Sequence, residues 1–115
     1  AIAGAGVSNL SRIQNNWSEN FIQRVLQGRT LGGMDPMNNT DKANIPILLF
    51  HGDRDVRVPM FHSVDFYNAV RDQVPAQLVQ IEDMPHSPPW YPRHFRTMLS
   101  AMETYLEEDC GPGGL

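Results

Sequence analysis

The sequence predicts an α/β fold in which parallel strands alternate with helices. Segment 45–50 is a short apolar run without polar alternation, as in a strand buried on both faces of a parallel sheet. Strand-like and helical patterns alternate three times along the chain, which favours parallel strands joined by crossover connections. The strand-like segments are 2–7, 45–50 and 77–82, and the helical patterns are 16–28, 59–74 and 91–109.

Length and composition limit the classes of protein to which this chain can belong. The chain has 115 residues, enough for one small domain, and a net charge of −4 from 13 acidic and 9 basic residues. No run of lysine and arginine is present, so we expect no nucleic-acid partner. No apolar run approaches the roughly 18 residues of a membrane span, so we expect no membrane partner. The single cysteine, Cys110, excludes an intrachain disulfide.

The first third of the chain predicts one strand and one helix. Residues 2–7 are small and apolar, as in a core strand packed closely by helices, and residues 8–15 are polar and predict a loop. Asn16 and Glu19 have the spacing of a capping box, and Gly28 suits the end of the helix that follows.

A second strand and helix follow. Residues 32–44 predict a loop with a short helical turn at Asp35-Pro36, and the strand 45–50 comes next. Pro59 suits the first turn of a helix, and Pro75 ends that helix.

The last third predicts a strand at 77–82, a loop at 84–90 and a helix that begins at Tyr91 or Pro92. A tail at 110–115 contains glycine and proline and predicts a frayed end. The residues expected on the inner face of the last helix are Phe95, Met98, Leu99, Met102, Tyr105 and Leu106.

A carboxylate and an imidazole follow two successive strands. Asp55 comes after the strand at 45–50, and His86 comes after the strand at 77–82. The carboxyl ends of parallel strands lie at one edge of a sheet, so the two side chains can meet. An acid that accepts the imidazole N–H fixes the tautomer, and the other ring nitrogen can then take a proton from a nucleophile. Serine hydrolases use such a pair.

The stretch Ile47–Pro59, which reads I-L-L-F-H-G-D-R-D-V-R-V-P, resembles the acid-turn motif of α/β-hydrolases. More narrowly, it resembles the prolyl oligopeptidase family of serine peptidases, peptidase family S9. The resemblance implies that Asp55 is the acid of the catalytic triad and that Arg57 binds a substrate carbonyl or carboxylate. It also implies that His86 is the triad histidine, although Ser87 replaces the glycine common after it. No cofactor is implied.

The nucleophile of that family has no counterpart here. None of the six serines has glycines at both flanking positions of the Gly-x-Ser-x-Gly elbow. The resemblance places the elbow before the strand at 2–7. We therefore expect residues 1–115 to be the C-terminal part of an α/β-hydrolase fold with an incomplete sheet, inactive alone. The expected partners are a peptide substrate and the upstream part of the same catalytic domain.

The charged residues at 53–57 have other possible roles. Asp55 can instead cap the following helix, Asp53 is a rival acid, and Arg57 can form an ion pair. His51, with Asp53, Asp55 and His86, offers metal-ligand types, but no two-histidine helix motif is present, so we expect no metal site.

The remaining histidines and aromatic residues have plainer interpretations. We expect His51 to hydrogen-bond under the turn, and His62 and His94 to lie at the surface or boundary of helices. Trp90 and Tyr91 are expected to anchor the last helix rather than to line a substrate site.

Two rival functions remain open. One is an esterase or lipase with the same fold. The other is a non-catalytic module that binds a partner strand or forms a homo-oligomer through a bare sheet edge.

Overall fold

Three parallel strands form one sheet in the order β1-β2-β3. The structure is a computed structural model, and it describes residues 1–13 and 35–110. The predicted alternation of strands and helices is confirmed for this part of the chain. The elements are β1 (Ile2–Gly4), α1 (Leu10–Ile13), a 3₁₀ helix (Pro36–Lys42), β2 (Ile47–Gly52), α2 (Phe61–Val70), β3 (Ala76–Ile81) and α3 (Pro92–Glu108).

The central strand β2 is buried along its whole length, as its apolar run predicts. Leu48 and Phe50 pack on one face of the sheet with Tyr105 of α3. Ile47 and Leu49 pack on the other face against α2. Because successive side chains of a strand point to opposite faces, one apolar run contributes to two cores. Full burial of each Leu or Phe side chain contributes about 1.5–3 kcal/mol.

The inner face of α3 is narrower than predicted. Met98, Met102 and Tyr105 pack in the core with the strands, as expected. Phe95 and Leu99 are wrong as inner-face residues, since they are 46% and 64% exposed. The two lie one turn apart, at the side of the apolar stripe, and a helix resting on a three-stranded sheet buries only the middle of that stripe.

The N-terminal segment departs from the predictions in two places. β1 ends at Gly4 rather than at residue 7, because Ala5 has a left-handed φ of 46° that breaks the extended backbone. Residues 8–15 were expected to form a loop, but α1 begins at Leu10. The buried Asp35 carboxylate accepts hydrogen bonds from the backbone N–H groups of Leu10 and Met37 (3.0 and 3.2 Å). It thereby caps the 3₁₀ helix, which is longer than the single turn expected there.

Later boundaries also differ. β2 continues through His51 and Gly52, which pair with Gln80 and Ile81 of β3. Helix α2 ends at Val70, one turn before the position that Pro75 suggests. The predicted helix at 16–28 and residues 111–115 of the predicted tail lie outside the described residues. Within residues 1–13 and 35–110, no helix is long and apolar enough to cross a membrane.

Candidate active site

The acid turn after β2 is closed by its own carboxylate. The Asp55 backbone N–H donates to the Gly52 carbonyl at 3.2 Å. Asp55 Oδ1 accepts the backbone N–H groups of Arg57 and Val58 at 2.9 and 2.8 Å. The Asp55 side chain is only 1% exposed, so these bonds fix its orientation in a site with little competing water.

The second oxygen of the same carboxylate binds the histidine that follows β3. His86 Nδ1 lies 2.8 Å from Asp55 Oδ2. A carboxylate only accepts, so Nδ1 carries the proton and Nε2 is the basic nitrogen. The imidazole is 32% exposed, and Nε2 makes no hydrogen bond to any other described residue. The sheet therefore presents a buried acid and a partly exposed base at its carboxyl edge.

Asp55 does not cap the following helix, because α2 has Met60 at its N-cap and no side-chain capping hydrogen bond. Oδ1 caps the turn, and Oδ2 orients His86. Asp53, the rival acid, forms no hydrogen bond or ion pair with His86. Its Oδ1 accepts the backbone N–H of Asp83 at 2.8 Å, so it joins the two turns instead.

Close backbone contacts hold the acid turn against the histidine turn. The Arg54 N–H donates to the Met84 carbonyl at 3.3 Å. A Cβ atom added at Gly52 would lie 1.9 Å from the same carbonyl oxygen. Only glycine allows this approach, so Gly52 sets the spacing on which the Asp55–His86 contact depends.

An ion-pair network lies outside these contacts. Asp83, which has a left-handed φ of 58°, pairs with Arg54 at 2.8 Å and with Arg93 of α3 at 3.1 Å. All three side chains are at least one third exposed, so each pair contributes little alone. The sequence showed the charged cluster at 53–57 but not that Asp83 would join it to α3.

A cavity of about 300 Å³ opens beside the pair. Asp55, His86 and Trp90 line it together with apolar side chains. Trp90 donates from Nε1 to the Pro85 carbonyl at 3.0 Å and packs edge-on against Phe95. Trp90 therefore contacts the last helix through Phe95, as expected, but it also lines the cavity, which was not expected.

The other histidines are all buried. His51 was expected under the turn, and this is confirmed: its side chain is fully buried and bonds to Ser63 and Val58. The surface prediction was wrong for His62 and His94, which are each 1% exposed. Helical periodicity treats histidine as polar and does not reveal the partners that three of these four ring nitrogens meet. The buried His62 Nε2 has no hydrogen-bond partner among the described residues.

Those partners are backbone groups. His94 accepts the Tyr91 N–H at 3.2 Å and contacts the Glu82 carbonyl at 3.0 Å. His62 Nδ1 accepts the Asn9 N–H at 3.3 Å. Burial lowers the pKa of His62 below its ordinary value, and the nearby Arg12 guanidinium lowers it further.

Arg57 lies on the exposed side of the acid turn, two residues after Asp55. Its backbone contacts the Asp55 carboxylate, whereas its role toward a substrate stays a prediction. Among the described residues, no group of three or more His, Cys, Asp or Glu side chains is arranged to hold a metal ion.

Parallel strands with helices on both faces, and an acid and a histidine after neighbouring strands, define part of an α/β-hydrolase sheet. The model of the prolyl oligopeptidase family (Peptidase_S9) matches residues 1–110, so the chain belongs to that family. No curated protein sequence gave a significant match.

Solved peptidase structures share this fold. A puromycin-hydrolyzing peptidase of Mycobacterium tuberculosis superposes with a TM-score of 0.70 and 21% identity, over 90% of this chain and 17% of its own. An uncomplexed acylaminoacyl peptidase of Pyrococcus horikoshii gives 0.70 and 20%, over 99% and 21%. A putative dipeptidyl aminopeptidase IV of Bacteroides ovatus gives 0.66 and 16%, over 88% and 15%. The chain thus spans about a fifth or less of these proteins.

Proposed function

We propose that this chain supplies the aspartate and the histidine of a Ser-Asp-His triad in a serine-type peptidase. The observation that carries the proposal is the 2.8 Å contact between Asp55 Oδ2 and His86 Nδ1. Membership of the prolyl oligopeptidase family supports peptide bonds as the substrate class. The buried acid and the partly exposed base match the roles that acyl transfer requires.

In this proposal His86 Nε2 takes the proton of a serine hydroxyl as the serine oxygen attacks the scissile carbonyl. The resulting imidazolium gives that proton to the leaving amine when the peptide C–N bond breaks. Asp55 keeps Nδ1 protonated and stabilises the imidazolium. Arg57, on the exposed side of the turn, holds a carbonyl or carboxylate of the substrate.

The nucleophile comes from polypeptide outside this sequence. No serine here lies in a Gly-x-Ser-x-Gly elbow. In this proposal the 115 residues alone have no triad turnover, and the rest of the catalytic domain completes the site.

The test uses the full-length protein that contains this sequence and compares Asp55→Asn with Asp53→Asn. Both variants remove one negative charge from the same turn, and both amides can still accept backbone N–H groups. Asp55→Asn is expected to lower kcat for a peptide substrate by about 10⁴-fold, because the amide favours the wrong histidine tautomer. Asp53→Asn, which leaves the His86 contact intact, is expected to retain most of the activity.

Labelling with a fluorophosphonate probe identifies the nucleophile in the same samples. The proposal predicts a labelled serine in the full-length protein and no label on the isolated 115-residue chain. Equal losses in the two variants, or a labelled serine within these 115 residues, would contradict it.

A further inference from the structure

A second histidine lies behind the acid of the proposed triad. The His51 side chain is fully buried and has three polar neighbours. Nδ1 is 2.6 Å from Ser63 Oγ, and Nε2 is 2.7 Å from the Val58 carbonyl. The same Nε2 is 3.4 Å from Asp55 Oδ2, the oxygen that binds His86.

These contacts determine the tautomer of His51. A backbone carbonyl only accepts, so Nε2 carries the proton and donates it to Val58. Nδ1 then accepts the hydroxyl proton of Ser63. The Nε2–H hydrogen bond goes to the Val58 carbonyl, and Asp55 Oδ2 lies 3.4 Å from the same nitrogen, in electrostatic rather than hydrogen-bonding contact.

Val58 links the two side chains through its backbone. Its N–H donates to Asp55 Oδ1 at 2.8 Å, and its carbonyl accepts the proton of His51. The three residues therefore form a closed set of contacts, and His51 holds the peptide segment that holds the carboxylate.

We propose that His51 is a positioning residue for Asp55, and that Ser63 fixes the tautomer that this role needs. The inference rests on the proposed triad, because it assigns His51 a role in presenting Oδ2 to His86. Val58 bonds to His51 more closely than Asp55 does, so His51 acts mainly through the turn.

Ser63, His51 and Asp55 are also the three residue types of a triad, but their arrangement does not suit catalysis. His51 is fully buried, and Ser63 is 5% exposed, so a peptide bond has no access to the hydroxyl. The basic nitrogen of His51 faces Ser63, while the N–H is engaged by a carbonyl rather than chiefly by the carboxylate.

Two substitutions of His51 separate positioning from simple filling of space. His51→Gln can place an amide N–H near the position of Nε2 and so preserve the donor to Val58. His51→Asn reaches only the position of Nδ1 and loses that donor. Ser63→Ala leaves His51 in place but removes the hydroxyl that fixes its tautomer.

The experiment measures two quantities for each variant. One is the proton NMR signal of the His86 Nδ1–H, which moves downfield when this N–H is bonded to a carboxylate. The other is kcat of the full-length protein. We expect His51→Asn to lose the downfield signal and about 100-fold in kcat, the scale of a 1 Å displacement of a catalytic group. His51→Gln should keep the signal and most of kcat, and Ser63→Ala should fall between them.

The outcomes distinguish this inference from the proposed function. If His51→Asn keeps both the signal and kcat, or if Gln and Asn fail equally in folded protein, His51 does not position Asp55. If the wild-type protein shows the signal but Asp55→Asn leaves kcat unchanged, the proposed triad fails instead.

Discussion

Gly52→Ala tests whether the two turns must touch for the site to form. The added Cβ would lie 1.9 Å from the Met84 carbonyl oxygen and 2.7 Å from its carbon. Cβ atoms essentially never lie within 3.0 Å of a nonbonded heavy atom from another part of the chain, so the two backbones must separate by about 1 Å. The clash is between the new Cβ and backbone atoms of Met84, so no flexible side chain can move to relieve it.

The expected cost has two parts. Overpacking of this kind lowers the free energy of unfolding by about 1–3 kcal/mol. A 1 Å separation of the turns would also stretch the 2.8 Å Asp55–His86 bond beyond hydrogen-bonding distance. We therefore expect Gly52→Ala to lose most of the peptidase activity proposed for the full-length protein, even below its unfolding temperature.

Gly6→Ala is the matched control, because a Cβ at Gly6 would meet no atom of residues 1–13 and 35–110 within 4 Å. Urea denaturation and peptide hydrolysis of the two variants provide the assay. Gly6→Ala should differ from wild type by no more than about 0.5 kcal/mol. If Gly52→Ala is as stable and active as Gly6→Ala, the close contact of the turns does not determine the site.

Three further perturbations test other contacts. The pKa of His62 in the folded protein is below its ordinary value of 6.5. As the pH falls below 6.5, His62 is therefore protonated in the unfolded chain before it is protonated in the folded one, and the free energy of unfolding decreases. Urea denaturation at about pH 7.5 and about pH 5 should show a smaller fall for His62→Gln. Tyr105→Phe removes the hydroxyl that donates to the Pro46 carbonyl at 2.7 Å and should lower the free energy of unfolding by about 1–2 kcal/mol. Burial raises the pKa of Tyr105 to about 12, so between pH 10 and pH 12 the tyrosine ionises in the unfolded chain but stays neutral in the folded one. The free energy of unfolding should therefore decrease over this range in wild type but not in Tyr105→Phe. Both Asp83→Ala and Asp83→Gly remove the ion pairs of Asp83. In thermal or urea unfolding, the alanine variant should have a free energy of unfolding about 1 kcal/mol lower than the glycine variant, because the left-handed φ of 58° at this position is unfavourable for a residue with a Cβ atom.

The order of elements was predictable because it depends on local pattern. The buried strand 45–50, the proline at the start of α3 and the alternation of strands and helices are all visible in single windows of sequence. The Asp55–His86 contact was also predictable, since parallel strands bring their carboxyl ends to one edge.

What the sequence missed depends on contacts between distant residues. Burial of His62 and His94 follows from the Asn9, Tyr91 and Glu82 backbone groups that they meet, which no periodicity reveals. The exposure of Leu99 depends on which part of α3 the sheet covers.

The Gly52–Met84 approach depends on how two turns meet across the sheet edge. A glycine after a strand predicts a turn, but its closest neighbour comes from a different turn of the chain. The sequence therefore predicted the residue types of the site but not the contact that sets their spacing.

Alkylation mapping tests whether His86 is the catalytic base, as proposed above. A peptide chloromethyl ketone that binds at a serine-peptidase site alkylates the basic nitrogen of the catalytic histidine. The full-length protein would be treated until peptide hydrolysis stops and then mapped by tandem mass spectrometry. We predict a single adduct on His86 Nε2, formed in step with the loss of activity and much more slowly in Asp55→Asn. Inactivation with the adduct on another residue, or full activity after His86 is alkylated, would contradict the account.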